Sequence, residues 1–204
     1  MSDAPPRYRR IALIGLGLIG SSIAWAAKRW GLADEVVGNA RTQATRDKAM
    51  ELGFLDAAYA DPAEAVIGAD LVVLCSPVGT FGALARAIAP NLAEGATVSD
   101  VGSVKEAVVR DVGPHLPPHV HLIPAHPVAG TEYSGPESGF AELFQNRWCI
   151  LTPPEGTDPE AVERLRAFWR ACGSNVEVMA ASHHDLVLAI TSHVPHLIAY
   201  NIVS

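Results

Sequence analysis

The chain has 204 residues, 49% of them hydrophobic and 18% charged, with a formal net charge of −7. That composition suits a compact folded domain and excludes disorder for most of the length, while an acidic balance without a basic block argues against nucleic acid or an anionic membrane as partner and leaves a small molecule. No apolar run approaches the roughly 18 residues that span a bilayer, MSDAPPRYRR lacks the core of a secretion signal, and Cys75, Cys149 and Cys172 are unpatterned, so a cytoplasmic protein with reduced thiols is expected rather than a disulfide frame or thiolate metal site.

The first element is a strand near 10–15 that runs into Gly15, Gly17 and Gly20, the G-x-G-x-x-G spacing of a dinucleotide site. Gly15 lets the strand turn sharply, Gly17 lets the backbone approach a pyrophosphate, and Gly20 lets the following helix, near 19–30, pack on the strand. Leu18 and Ile19 open that helix, whose N-terminus presents N–H groups and a partial positive charge to the anion. Three glycines also make an ordinary tight turn, but here a strand precedes them and a helix follows.

A second strand near 35–39 leads into Ala40, Arg41 and Thr42. Sites for NAD usually carry an acidic residue about 20 positions beyond the glycines, where it binds the ribose hydroxyls. Ala40 stands there instead, and Arg41, Thr42 and Arg46 could contact a 2′-phosphate, so NADP is expected to be accepted and preferred over NAD. Arg41 can equally be a solvated loop charge.

The pattern continues with a helix near 43–51, a capping signal at Asp61-Pro62, a strand near 70–75, a helix near 79–89 and a turn at Gly95. Strands near 96–99 and 121–125 bracket a helix near 104–110; a strand near 148–152, a helix near 159–171 announced by Thr157, Asp158 and Pro159, and a strand near 175–178 complete the series. This alternation predicts an α/β fold, a Rossmann-type doubly wound and mostly parallel sheet with helices on both faces, over residues 8–179.

From about Ala180 the chain reads HHDLVLAITSHVPHLIAYNIVS, apolar on nearly every helical face and interrupted at Pro195. Such a helix needs neighbours on all sides, so residues 180–204 are expected to open a second, helical domain that is cut short or completed by another subunit. His183 and His184 read as its solvated start.

Ligands in open α/β sheets bind beyond the carboxyl ends of strands, which draws LCSPV with Ser76 and Pro77, SDVGSVK with Ser103 and Lys105, and PAHPVAGTEYSG with His126, Thr131 and Glu132 toward one crevice. The rigid Pro127 and flexible Gly130 could hold the His126 imidazole over a cofactor, or His126 could be a loop histidine with a satisfied hydrogen bond. Ser103 could simply cap a helix and Lys105 could lie in its first turn. His193 and His196 lie three apart and share a helix face with Tyr200, but no carboxylate or thiolate stands beside them at ligand spacing, so no metal is expected.

GLGLIGSS, DVGSVK, HPVAGTE and SHVPH, in this order and at these separations, resemble the prephenate and arogenate dehydrogenases of tyrosine biosynthesis, also called cyclohexadienyl dehydrogenases. The resemblance runs from about Arg9 to Ser204 and implies oxidative decarboxylation. Hydride passes from the ring carbon bearing the 4-hydroxyl to NAD(P), carbon dioxide departs, and the ring becomes aromatic as 4-hydroxyphenylpyruvate or tyrosine. It further implies that His126 is the general base, that Ser103 orients or shares its hydrogen bond, and that Thr131, Glu132, His193 and His196 line the substrate pocket. A homodimer formed through a helical domain extending past residue 204, with an arginine for a substrate carboxylate, is also implied. A different Rossmann reductase, or a nucleotide-binding module without turnover, are the other classes the residues allow.

Overall fold

The computed structural model describes residues 7–190. Six strands form one sheet: β1 (Tyr8–Ile14), β2 (Ala33–Asn39), β3 (Ala57–Tyr59), β4 (Leu71–Leu74), β5 (Thr97–Asp100) and β6 (His121–Leu122), in the order β3-β2-β1-β4-β5-β6. Every pairing in it is parallel. The chain moves outward from β1 to β3, then returns to the other side of β1 with β4, so the order reverses between β1 and β4. That reversal opens the crevice in which doubly wound sheets bind ligands.

Alternation along β1 shows why helices cover both faces. Ile11 and Leu13 pack with Ile23, Ala27, Phe144 and Phe168 on one side, while Ala12 and Ile14 pack with Val72, Phe81, Ile88 and Val98 on the other. Successive strand residues point to opposite faces, and a strand buried on both reads as a continuous apolar run, as IALI does. The helices are α1 (Leu18–Arg29), α2 (Gln43–Leu52), α3 (Pro62–Ala65), α4 (Phe81–Ile88), α5 (Lys105–Val112), α6 (Pro159–Ala171) and α7 (Ala181–Leu188). α4 buries Phe81, Ala85 and Ile88, one stripe at helical spacing. At the start of α6 the Asp158 carboxylate accepts the Glu160 N–H at 2.9 Å and Pro159 occupies the first turn, as TDP suggests in sequence.

Two details differ from the sequence reading. The run at 121–125 is not one strand: Ile123 N–H still donates to Val98 at 2.9 Å, but Pro124 has no N–H with which to continue. The chain turns there into β7 (Ala125–Pro127), which joins β8 (Trp148–Leu151) and β9 (Asn175–Val178) in a separate three-stranded sheet, β7-β8 antiparallel and β8-β9 parallel. The strands near 148–152 and 175–178 therefore lie outside the main sheet. β3 is the other difference, three partly buried residues at the sheet edge, too short to show alternation. Among the described residues no helix is long and apolar enough to cross a membrane.

Candidate active site

The glycine turn at the end of β1 has the local geometry expected at Gly15 and Gly20. Gly15 has φ +113°, and a Cβ there would lie 2.8 Å from the Cys75 carbonyl carbon and the Ser76 nitrogen, so the turn is wedged against the end of β4. A Cβ on Gly20 would fall 2.2 Å from the Gly15 carbonyl oxygen, which is why α1 can pack so close to the strand. A Cβ on Gly17 would meet nothing within 4 Å, and Gly17 caps α1 with no side-chain hydrogen bond. The N–H groups of Leu18 and Ile19 thus begin a helix whose mouth is open to an anion.

At the far end of this cradle, Ile14, Gly15, Ala40, Arg41, Ser76 and Thr80 line a cleft of about 160 Å³. Ala40 is nearly buried and Arg41 exposed. Thr42 caps α2 by accepting the Thr45 N–H at 3.2 Å. The Arg46 guanidinium donates to the carbonyls of Ala40 and Arg41 at 2.7 and 3.1 Å, so it braces the loop from below. Ser76 Oγ lies 2.8 Å from Thr80 Oγ1, and Pro77 beside it is exposed. A larger hollow of about 580 Å³ between Trp25, Arg29, Phe140 and Glu142 includes no residue from the carboxyl ends of β1, β4 or β5, so its size does not make it the site.

Beyond β5 the site is built from buried charge. Lys105 Nζ lies 2.6 Å from Asp100 Oδ2, and both side chains are essentially sealed from solvent. Each also grips Ala125: Lys105 Nζ donates to its carbonyl at 2.6 Å and Asp100 Oδ1 accepts its N–H at 3.2 Å. Asp100 Oδ2 further accepts the Gly102 N–H at 2.7 Å. Burial pushes the Asp100 carboxyl up and the Lys105 ammonium down, and in each case the partner's opposite charge resists. The ion pair therefore locks Ala125, the residue immediately before His126.

The imidazole of His126 continues this network. Its Nδ1 is 2.9 Å from Nε2 of His184, whose own Nδ1 is 2.7 Å from Asp185 Oδ1. Asp185 also accepts the N–H groups of Lys105 at 2.8 Å and Glu106 at 2.9 Å, and so caps α5 from across the molecule. Two expectations fall here. His184 is not at a solvated helix start but fully buried, whereas His183 is exposed. Ser103 is not the cap of α5: the cap residue is Val104, Ser103 is exposed, and the carboxylate of Asp185 does the work.

Thr131 and Glu132 are exposed on the loop after β7, where Thr131 Oγ1 accepts the Tyr133 N–H at 3.3 Å. That loop returns to α1: Phe140 N–H donates to Ser22 Oγ at 3.1 Å. The glycine cradle, Ser76 and Pro77 and the Ser103 loop thus sit at the carboxyl ends of β1, β4 and β5, and His126, the middle residue of β7, follows Ala125, which Asp100 holds against the end of β5. His193 and His196 lie outside the described residues. Among the described residues no group of three or more His, Cys, Asp or Glu could hold a metal ion. The sequence reading missed Asp100, His184 and Asp185; only the D and K of DVGSVK and the HHD triplet could have hinted at them.

Residues 23–178 match the family described as the prephenate dehydrogenase nucleotide-binding domain. The chain is 44% identical to the cyclohexadienyl dehydrogenase of Zymomonas mobilis over 196 residues, covering 96% of this chain and 67% of that protein. It is 32% identical to the prephenate dehydrogenase of Bacillus subtilis, with 95% and 52% covered. Its structure superposes on that of Aquifex aeolicus prephenate dehydrogenase in complex with hydroxyphenyl propionate and NAD+, with a TM-score of 0.88, 33% identity, and 96% and 68% covered. The chain spans about two thirds of the first of these curated relatives and about half of the second.

Proposed function

Given that the chain belongs to the prephenate dehydrogenase family, we propose that it takes part in the oxidative decarboxylation of prephenate or arogenate, with NAD(P) as hydride acceptor. The observation that carries this reading is the placement of His126: it follows Ala125, whose N–H is held by Asp100 and whose C=O is held by Lys105, at the carboxyl end of β5.

The residues present suit a dinucleotide, since the open space over Gly17 and the uncapped start of α1 are what a pyrophosphate requires. Gly15, Gly17, Leu18, Ile19 and Gly20 would hold the phosphates, Ala40, Arg41 and Thr42 the adenosine ribose, and Ser76 and Pro77 the adjoining wall. The bound cofactor supplies the acceptor for hydride. The protein's own task is to hold the ring carbon in line and to take the 4-hydroxyl proton as hydride leaves, which His126 does as general base. Departure of the ring carboxylate as carbon dioxide then completes an aromatic ring, and aromatisation drives the reaction. Ser103, exposed on the loop after β5, and Thr131 and Glu132, exposed on the loop after β7, would line the pocket for the substrate, together with His193 and His196 further along the chain.

NADP is the preferred cofactor in this reading. A carboxylate at position 40 would repel a 2′-phosphate; Ala40 does not, and the exposed Arg41 beside it offers a cation. The active assembly is a homodimer joined through residues after about 180, a reading supported by the exposure of Leu186 and Ile190 at 60% and 62%. A cytoplasmic setting agrees with three unbridged cysteines.

Steady-state assays with prephenate and arogenate, each with NAD+ and NADP+, test the reading, and light scattering tests the dimer. Turnover on one ring substrate with release of carbon dioxide is the expected result. Tight nucleotide binding with no turnover on either substrate would overturn it in favour of a binding module.

A further inference from the structure

We propose that His184 and Asp185 are positioning residues that fix the tautomer of His126, so that Nε2 of His126 is the nitrogen that accepts the substrate's hydroxyl proton. The inference rests on the reading of His126 as the base and explains how its basic nitrogen is chosen.

The direction of the hydrogen bonds follows from one end. Asp185 accepts two backbone N–H groups at the start of α5, an environment that favours a carboxylate. Burial acts to raise this carboxyl, but those two N–H groups and His184 outweigh it and hold it below the usual range. A carboxylate can only accept, so His184 Nδ1, 2.7 Å away, carries a proton. A neutral imidazole has a single N–H, which makes His184 Nε2 an acceptor. Facing it at 2.9 Å, His126 Nδ1 must therefore donate, and the lone pair of neutral His126 falls on Nε2.

The chain points this way only while His184 is neutral. It is fully buried, and burial lowers its pKa despite the opposing pull of Asp185; the nearby Lys105 ammonium lowers it further and Asp100 acts the other way. A protonated His184 would aim an N–H at His126 Nδ1 and drive the His126 proton to Nε2, removing the lone pair the reaction needs. With the chain as it stands, His126 accepts the hydroxyl proton at Nε2 while the O–H electron pair forms a carbonyl and hydride leaves the same carbon for an oxidised nicotinamide. Loss of carbon dioxide returns an electron pair to that oxygen, which recovers the proton from His126 to become the phenol. Throughout, Nδ1–H of His126 keeps its acceptor, with the Asp185 charge behind it. A base oriented by a third group in this manner is a general device of acid–base catalysis.

Side-chain ¹⁵N–¹H correlation spectra of the full chain, labelled at histidine, read the tautomer directly and require no turnover. His126 is expected to carry its proton on Nδ1, and so is His184. Replacing His184→Leu should shift His126 toward the Nε2–H form and lower kcat roughly 10- to 100-fold, a part of the 10²–10⁴-fold that a general base supplies, with substrate KM and cofactor Kd within about twofold. His184→Gln, whose amide oxygen can take the His126 Nδ1–H, should recover most of that loss. A proton on Nε2 of His126 in the unaltered chain overturns the proposal, as does full kcat in a folded His184→Leu protein. Should His184→Leu fail to fold, the spectrum of the unaltered chain decides. An unaltered chain that shows the expected tautomers and turns over neither ring substrate overturns the proposed function instead.

Discussion

The glycine cradle at the end of β1 and the base cluster beyond β5 lie on the same side of the sheet, yet different physics holds them in place. The cradle is made of backbone: three glycines within six residues, a positive φ at Gly15, and close approaches to Cys75 and Ser76 that leave no room for side chains. The base cluster is made of groups brought together from 25 to 80 residues apart, since Asp100 meets Ala125 and Lys105 meets Asp185. The cradle's turn and helix start are specified locally, and its distant part is the end of β4 at Cys75 and Ser76. A side-chain network needs the whole fold to exist first, and the fold in turn depends on it, because its charges are buried.

The comparison predicts that variants in the two regions fail in different ways. The largest effect should come from His126→Asn, which removes the proton acceptor and should lower kcat by about 10²–10⁴-fold while cofactor affinity stays within about twofold. Steady-state kinetics beside calorimetric titration of the cofactor checks this; near-normal turnover would remove His126 from its role. Lys105→Met comes next. It leaves the Asp100 carboxylate buried without its partner, a change that costs roughly 3–5 kcal/mol in comparable pairs. Thermal and urea unfolding should register it, and the double change Asp100→Asn with Lys105→Met should recover part of the loss. If both variants are as stable as the parent, the ion pair is not what fixes Ala125.

How much the sequence reveals follows the same divide. The strand, turn and helix of the cradle can be read from RIALIGLGLIGSS because the turn at Gly15 and the approach of Gly20 to the Gly15 carbonyl lie within a few positions, although the wedge of Gly15 against Cys75 and Ser76 is not visible there. The doubly wound order follows from alternating elements, and even the helix start at Asp158 and Pro159 is local. By contrast, nothing near His184 announces a buried imidazole: in HHD it looks like a polar helix start, and besides the adjacent Asp185 its partner is His126, 58 residues away. Ser103 shows the converse error, for a serine before a helix suggests a cap, yet Asp185 supplies one from 79 and 80 residues away. Pro124 was visible in the sequence, but its consequence, the exit of the chain into a second sheet, depends on β8 being there to receive β7.

A smaller effect should arise at the backbone-built end. Arg41→Ala removes an exposed cation beside Ala40 and should weaken NADP about tenfold relative to NAD, the loss of one charge-assisted contact, with stability unchanged. Competitive titration of the two cofactors measures it. A chain that prefers NAD, with a ratio indifferent to Arg41→Ala, would mean that the loop at 40–42 does not read the 2′-position.

The smallest effect concerns pH, and it belongs to the buried side. His184 is held below its ordinary pKa by burial, with Asp185 opposing, so as pH falls below about 6.5 the unfolded chain binds a proton at this residue that the folded chain does not. More protons bound in the unfolded state means that stability rises with pH across that window and is lost as pH falls through the depressed folded value. One group sets a slope of at most about 1.4 kcal/mol per pH unit. Among the described residues the groups facing His184 are His126, Asp185, Lys105 and Asp100, and Asp185 adds its own loss only at lower pH, because its carboxyl also lies below the usual range. Unfolding midpoints measured between pH 5 and 8 should therefore decline on the acid side, and His184→Gln, which has no proton to gain, should flatten that decline. An identical slope in His184→Gln would place the acid sensitivity elsewhere. It would also remove the reason for treating His184 as the neutral acceptor on which the orientation of His126 depends.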